Sequence, residues 1–140
     1  MKPLELRLTA FGSYPGTEVV DFEALATRGL FVVSGDTGTG KTTIFDAMCW
    51  ALFGDMPGKQ TGEVRSHHVP DEVRTEVQLT FECGRERYVV TRNPEQLQPA
   101  KRGSRLVKEP ASASLTRLTD GATESVATKP SDVSRSCIEL

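Results

Sequence analysis

Cysteine is scarce in this sequence. Cys49, Cys83 and Cys137 are an odd number with no close spacing among 140 residues, which argues against a disulfide framework and against a C-x-x-C metal site. A reducing, cytoplasmic setting fits that usage. No run approaches the roughly 18 consecutive apolar residues of a membrane span. The N-terminus, MKPLELRLTAFG, alternates apolar and charged residues where a secretion signal would be continuously apolar. No membrane contact is expected. Asparagine occurs only as Asn93, in Arg-Asn-Pro-Glu, so the Asn-Lys-x-Asp run with which a GTPase selects guanine is missing. Excess charge is missing too. Seventeen Lys and Arg stand against 19 Asp and Glu, a formal net charge of -2, and that sum points to neither nucleic acid nor an anionic surface.

What is present bounds the class. Apolar residues make up 37% and charged residues 26%, with 12 Gly and 8 Pro, a globular composition able to bury a modest core. At roughly 150 residues per domain, the length allows one domain or part of one. The charge is unevenly spread. Residues 84–108 hold seven basic side chains, Arg85, Arg87, Arg92, Lys101, Arg102, Arg105 and Lys108, against two acids, whereas the flanking stretches are acidic on balance.

The periodicity predicts a mixed order of strands and helices. Leu4, Leu6, Leu8 and Ala10 alternate with Glu5, Arg7 and Thr9, the period-2 pattern of a half-buried strand. A turn over 12–16 leads to a second strand over Thr17 to Phe22. Leu30 to Ser34 is wholly apolar up to its serine, as in a buried central strand. Thr42 to Phe53 is expected as a helix with Ile44, Phe45, Met48, Ala51 and Leu52 inward and Gly54 as C-cap. Residues 55–74 read as a loop. Thr75 to Glu82 and Glu86 to Arg92 form a hairpin, and Asn93 to Pro110 is a polar, basic excursion. Ser112 to Leu118 and Thr123 to Val126 flank Thr-Asp-Gly, a hairpin signal. From Ser131, the expected N-cap, Val133, Cys137 and Leu140 fall at helical spacing, and the sequence ends inside that helix.

The chemistry lies between the apolar run and the first long helix. Gly35-Asp36-Thr37-Gly38-Thr39-Gly40-Lys41-Thr42 matches G-x-x-x-x-G-K-[ST], the P-loop, in the strand-loop-helix context the motif requires. Its glycines let successive N-H groups point at a phosphate, and the helix N-terminus adds unsatisfied donors and the positive end of its dipole. Lys41 is the catalytic candidate, a point charge for the β- and γ-phosphates of ATP. Thr42 offers its hydroxyl to Mg²⁺, and Thr43 can bond the α-phosphate. A complete site also needs a Walker B strand ending in Asp. Only Val77 to Glu82 is acid-terminated, and its alternation exposes one face. Half a nucleotide site is present.

With these elements in place, the chain resembles the N-terminal ATP-binding segment of the SbcC family, the SMC-like members of the ABC ATPase superfamily that work with a nuclease subunit on DNA ends. The resemblance rests on Leu6 to Asp21, Leu30 to Gly54, Arg65-Ser66, Thr75 to Glu82, and Tyr88 to Gly103. It implies an α/β P-loop NTPase fold, the ABC/SMC-like head N-terminal lobe with β-hairpins and a P-loop helix, incomplete without a C-terminal lobe. Residues 1–140 are then an N-terminal lobe truncated before the glutamine loop and coiled coil. The implied activity is ATP hydrolysis in a head-to-head homodimer that clamps DNA ends and controls an SbcD-like nuclease subunit in double-strand break repair, with this fragment alone inactive. Arg65 and Ser66 are placed by the resemblance near adenine or ribose, although a loop salt bridge explains Arg65 as well. Gly12 departs from relatives that carry a basic residue near the nucleotide. The other reading is a small P-loop kinase acting on a metabolite.

The remaining residues divide between site and scaffold. Asp46 reads as a solvated acid on the P-loop helix, Trp50 and Cys49 as core, and His67 and His68 as exposed loop histidines without ligand spacing. The basic island Arg85, Arg87, Arg92, Lys101, Arg102, Arg105 and Lys108 is either a phosphate-neutralising face for DNA or a solvated one.

Overall fold

The computed structural model describes residues 1–26, 31–57, 64–70, 72–100 and 105–140. Strand β1 (Lys2–Phe11) runs antiparallel to β2 (Tyr14–Asp21) on one side and to β3 (Glu76–Cys83) on the other. The ladder continues through β4 (Glu86–Asn93), β7 (Ser112–Thr119) and β8 (Ala122–Ala127), giving a six-stranded sheet of order β2-β1-β3-β4-β7-β8. Between β4 and β7 the chain makes a separate hairpin, β5 (Gln96–Pro99) with β6 (Leu106–Glu109). A four-residue turn of helix, α1 (Phe22–Leu25), follows β2. Helix α2 (Lys41–Phe53) lies against β1, β3 and β4, and α3 (Pro130–Glu139) against β7 and β8.

Alternation decides which face the helices cover. Leu6 and Leu8 of β1, Val77, Leu79 and Phe81 of β3, Val90 of β4 and Leu115 of β7 are essentially inaccessible. They share the face against which α2 and α3 pack, and this removal of apolar surface from water is what holds the helices down. Phe11 meets Trp50 of α2 with ring centroids 5.7 Å apart, and Val133 and Cys137 bring α3 into the same cluster. Gln78, Thr80, Thr91, Ser114 and Thr116 occupy the alternate positions, so the opposite face is polar.

Several expectations are corrected. The buried central strand expected over Leu30 to Ser34 is not formed over its described part, 31–34. Leu30 lies outside the described residues, Phe31 to Asp36 have no regular structure, and Val32 is 84% exposed. A wholly apolar strand needs hydrogen-bonded neighbours and cover on both faces, whereas this segment pairs with no strand among the described residues and is tied at its start by Phe31, whose ring lies 5.5 Å from that of Phe22. The turn after β1 is two residues long, and Phe22 opens α1, where the Asp21 carboxylate accepts from Ala24 N-H at 2.9 Å. The excursion over 93–110 contains the β5–β6 hairpin, anchored by the buried Gln96 amide, which accepts from Thr75 N-H at 2.7 Å and donates to Thr75 O at 3.2 Å. Helix α3 starts two residues early. Lys129 is its N-cap and Pro130 sits in the first turn, where its fixed φ suits the helix and its missing N-H costs nothing. Ser131 is inside the helix.

Candidate nucleotide site

The glycine loop stands at the N-terminus of α2. Gly38 and Gly40 take φ of +89° and +85°, the left-handed region that glycine enters at little cost, and Gly40 is the N-cap of α2. Residues 35–39 are exposed. The loop is braced internally by Thr39, whose N-H and hydroxyl both donate to Asp36 O, at 3.3 and 2.8 Å. Lys41 curls back over it, with Nζ donating to Gly35 O at 2.7 Å and Asp36 O at 2.6 Å. A cleft of about 350 Å³ opens at this point, lined by Ser13, Thr37, Gly38, Gly40, Lys41, Thr42 and Thr43. Among the described residues no carboxylate lines it. One ammonium, several hydroxyls and a helix N-terminus converge there, which is a donor set for a polyphosphate.

The two threonines differ. Thr42 is exposed, whereas Thr43 is 8% exposed and its Oγ1 lies 3.2 Å from Ser13 Oγ. Gly12 is close-packed against it, since a Cβ at Gly12 would come within 2.7 Å of Thr43 Cγ2, so a side chain at 12 would have to displace that of Thr43. Thr42 suits Mg²⁺ held jointly by phosphate oxygens and water. Among the described residues no group of three His, Cys, Asp or Glu could hold a metal by itself, and His67 and His68 are exposed as expected.

Arg65 and Ser66 are used otherwise than expected. Arg65 Nη1 donates to Val73 O at 2.6 Å and Thr75 Oγ1 at 3.3 Å, and Nη2 donates to Pro70 O. Ser66 is 1% exposed and its N-H donates to Ala10 O at 2.8 Å. Together they fasten loop 64–75 to β1 and do not line the cleft. Asp46 is also corrected. At 6% exposure it is buried on the sheet-facing side of α2.

The basic island is not one face. Arg92 is 5% exposed, and its Nε donates to Ala51 O at 3.0 Å while Nη2 reaches Leu52 O at 3.4 Å and Ser134 Oγ at 3.1 Å. It therefore caps the C-terminus of α2, where carbonyls lack helical partners, and is unavailable to DNA. Arg87 pairs with Glu23 at 3.2 Å and Lys108 with Glu95 at 2.8 Å. Arg85, in the β3–β4 turn, is at the opposite end of β4 from the β5–β6 hairpin that carries Arg105 and Lys108 at its second strand. Lys101 and Arg102 lie outside the described residues.

Sequence reasoning missed two residues that shape the cleft. Ser13 lines it from the β1–β2 turn, while Tyr14, the first residue of β2, bonds Gly40 beside it, and nothing in the motif signals a contact from 26 residues upstream. The β1 bulge between Thr9 and Phe11, where Ala10 takes φ of +51°, aims that turn at the loop.

A mixed α/β unit with its glycine loop at a helix N-terminus defines the class, and residues 5–129 match the family described as an AAA domain. The chain belongs to that family. Over 142 aligned positions it is 42% identical to the SbcC subunit of the nuclease SbcCD from Vibrio cholerae, a match covering 100% of this chain and 14% of that protein. The protein of the same name from Lactococcus lactis is 42% identical over 116 positions, 82% of this chain and 11% of the relative. That of Staphylococcus aureus strain Newman is 42% identical over 94 positions, 66% and 9%. The chain thus spans no more than 14% of the length of these curated relatives. Among the described residues no helix is long and apolar enough to cross a membrane.

Proposed function

We propose that this chain is the nucleotide-binding N-terminal lobe of an ATPase head of the SbcC type, acting in DNA double-strand break repair. The observation that carries the reading is the cleft at the N-terminus of α2, which Gly38, Gly40, Lys41, Thr42 and Thr43 line together. ATP with Mg²⁺, when bound, supplies the phosphoryl group that passes to water. Lys41 exchanges its contacts with Gly35 O and Asp36 O for phosphate oxygens, Thr42 offers its hydroxyl to the metal, and Thr43 faces the α-phosphate. Arg65 and Ser66 are left out of this assignment.

The chain supplies binding but little else. Val77 to Glu82 lies within β3 with alternate residues half exposed, and Glu82 near its end faces Arg87 at 3.9 Å, so no apolar strand among the described residues delivers an acid to the cleft. Phosphoryl transfer depends almost wholly on positioning and electrostatics. The acid, the water-holding glutamine and the second wall of the site come, in this reading, from sequence outside the chain and from a second head. That C-terminal lobe would pair the apolar segment at 31–34 and cover Phe45 and Phe53, which are 52% and 42% exposed. The names of the relatives support an SbcD-like nuclease partner and DNA as substrate, and DNA contact is assigned to Lys101, Arg102 and Arg105, which stand close together in the sequence. A cytoplasmic location follows from that role. No observation favours the metabolite kinase, since antiparallel strands follow α2 where an arginine-bearing lid would be needed.

Phosphate release tests the reading. The chain is expected to bind ATP·Mg²⁺ and release phosphate at the uncatalysed background rate. Robust release that disappears in Lys41→Ala would show a complete enzyme and overturn the assignment of half a site.

A further inference from the structure

The turn between β1 and β2 and the first residue of β2 together grip the start of α2 at two points. Tyr14 donates its hydroxyl to Gly40 O at 3.2 Å, and Ser13 Oγ lies 3.2 Å from Thr43 Oγ1. Gly40 is pressed against this turn. A Cβ at position 40 would lie 2.7 Å from Tyr14 Oη and 2.8 Å from Ser13 Oγ, so the glycine is required by this packing as well as by its φ of +85°.

The bond to Gly40 O has a consequence one atom away. The carbonyl of Gly40 and the N-H of Lys41 belong to one planar peptide, and no peptide among the described residues is cis, so the two groups point in opposite directions. The N-cap carbonyl already accepts the first intrahelical bond, and Tyr14 occupies its second lone pair. Held from both donors, the carbonyl cannot swing. The Lys41 N-H, one of the helix-start donors with no intrahelical partner, is thereby fixed on the side away from Tyr14. Gly40 and Lys41 both line the cleft, whereas Tyr14 does not, so any effect of Tyr14 on a ligand passes through this peptide.

We infer that Tyr14 is a positioning residue of the nucleotide site, a latch that orients the Gly40–Lys41 peptide so that its N-H faces a phosphate. The inference rests on the nucleotide-binding reading above and adds a residue from outside the P-loop to it. Because the β-phosphate is common to ADP and ATP, the latch acts on both.

Calorimetry with ADP·Mg²⁺ and ATP·Mg²⁺, on the parent chain, Tyr14→Phe and Lys41→Ala, decides the matter together with the amide-proton shift of Lys41. Tyr14→Phe removes one oxygen from a half-buried ring. Its Kd for both nucleotides should rise about 3- to 10-fold, the size of one neutral hydrogen bond. The downfield shift of the Lys41 amide proton on adding ADP should shrink, and Tm should fall by no more than about 6 °C, the scale of that one bond. If Lys41→Ala loses nucleotide while Tyr14→Phe keeps the parent Kd and amide shift, the latch is refuted and the nucleotide site stands. A Kd change matched by a fall in Tm, with the amide shift intact, would reduce Tyr14 to a fold contact and refute it too. Lys41→Ala binding like the parent would remove the nucleotide reading itself.

Discussion

Arg92 is the residue whose role departs furthest from its appearance in the sequence. It sits in a basic stretch, yet its guanidinium is buried against the last carbonyls of α2 and against Ser134, which in turn donates to Phe53 O at 2.8 Å. The helix C-terminus, with its excess of carbonyl dipoles, stands in for a counter-ion. Gly54 leaves the room for this, because a Cβ there would come within 2.8 Å of Arg92 Nη1. Burial pushes the pKa of Arg92 down and the nearby Cys137 thiol up, but an arginine retains its charge in proteins. Arg92→Ala should cost about 2 to 4 kcal/mol, since it leaves the C-terminal carbonyls of α2 and Ser134 without their donor. Thermal melts should show a fall of roughly 8 to 15 °C, and Arg92→Lys should restore little of it, because an ammonium cannot reproduce the planar fork. A change below about 0.5 kcal/mol for Arg92→Ala would return Arg92 to the surface island.

At the scale of elements, α2 shows why a helix can be legible in extent and illegible in orientation. Its start after the glycine loop and its stop at Gly54, whose φ is +75°, follow from the motif and from cap chemistry. Its inward face does not, because Ile44, Phe45, Met48, Cys49 and Phe53 make the other side apolar as well, and a helix apolar all round carries no direction in its periodicity. The sheet takes Thr43, Asp46, Ala47, Trp50 and Ala51. In this chain Trp50→Ala should therefore cost about 3 to 5 kcal/mol, while Phe45→Gln should stay within about 0.5 kcal/mol. Equal losses in urea titrations would mean that Phe45 is buried after all. The segment at 31–34 departs from its expectation for a related reason, because its composition records partners that the described residues do not supply. The β5–β6 hairpin is hidden by its polar composition, and the buried Gln96 amide on Thr75 ties it down.

For the molecule as a whole, the sheet is the most legible part. Alternation in β1, β3 and β4 and the Asp120-Gly121 turn between β7 and β8 each depend on local chemistry, and Gly121 does take φ of +85°. Strand order and long-range contacts are not legible, and those decide the site. Ser13 and Tyr14 meet the P-loop across 26 residues or more, Arg92 meets α2 across about 40, and the basic island divides between two ends of β4. The central claim is that the cleft at the start of α2 binds a nucleotide through Lys41. Calorimetric titration of the chain with ATP·Mg²⁺ tests it most directly. The account predicts saturable one-to-one binding in the parent and a loss of at least about tenfold in Lys41→Ala, the scale of a charge-assisted hydrogen bond to phosphate. Equal affinity in parent and Lys41→Ala would contradict it.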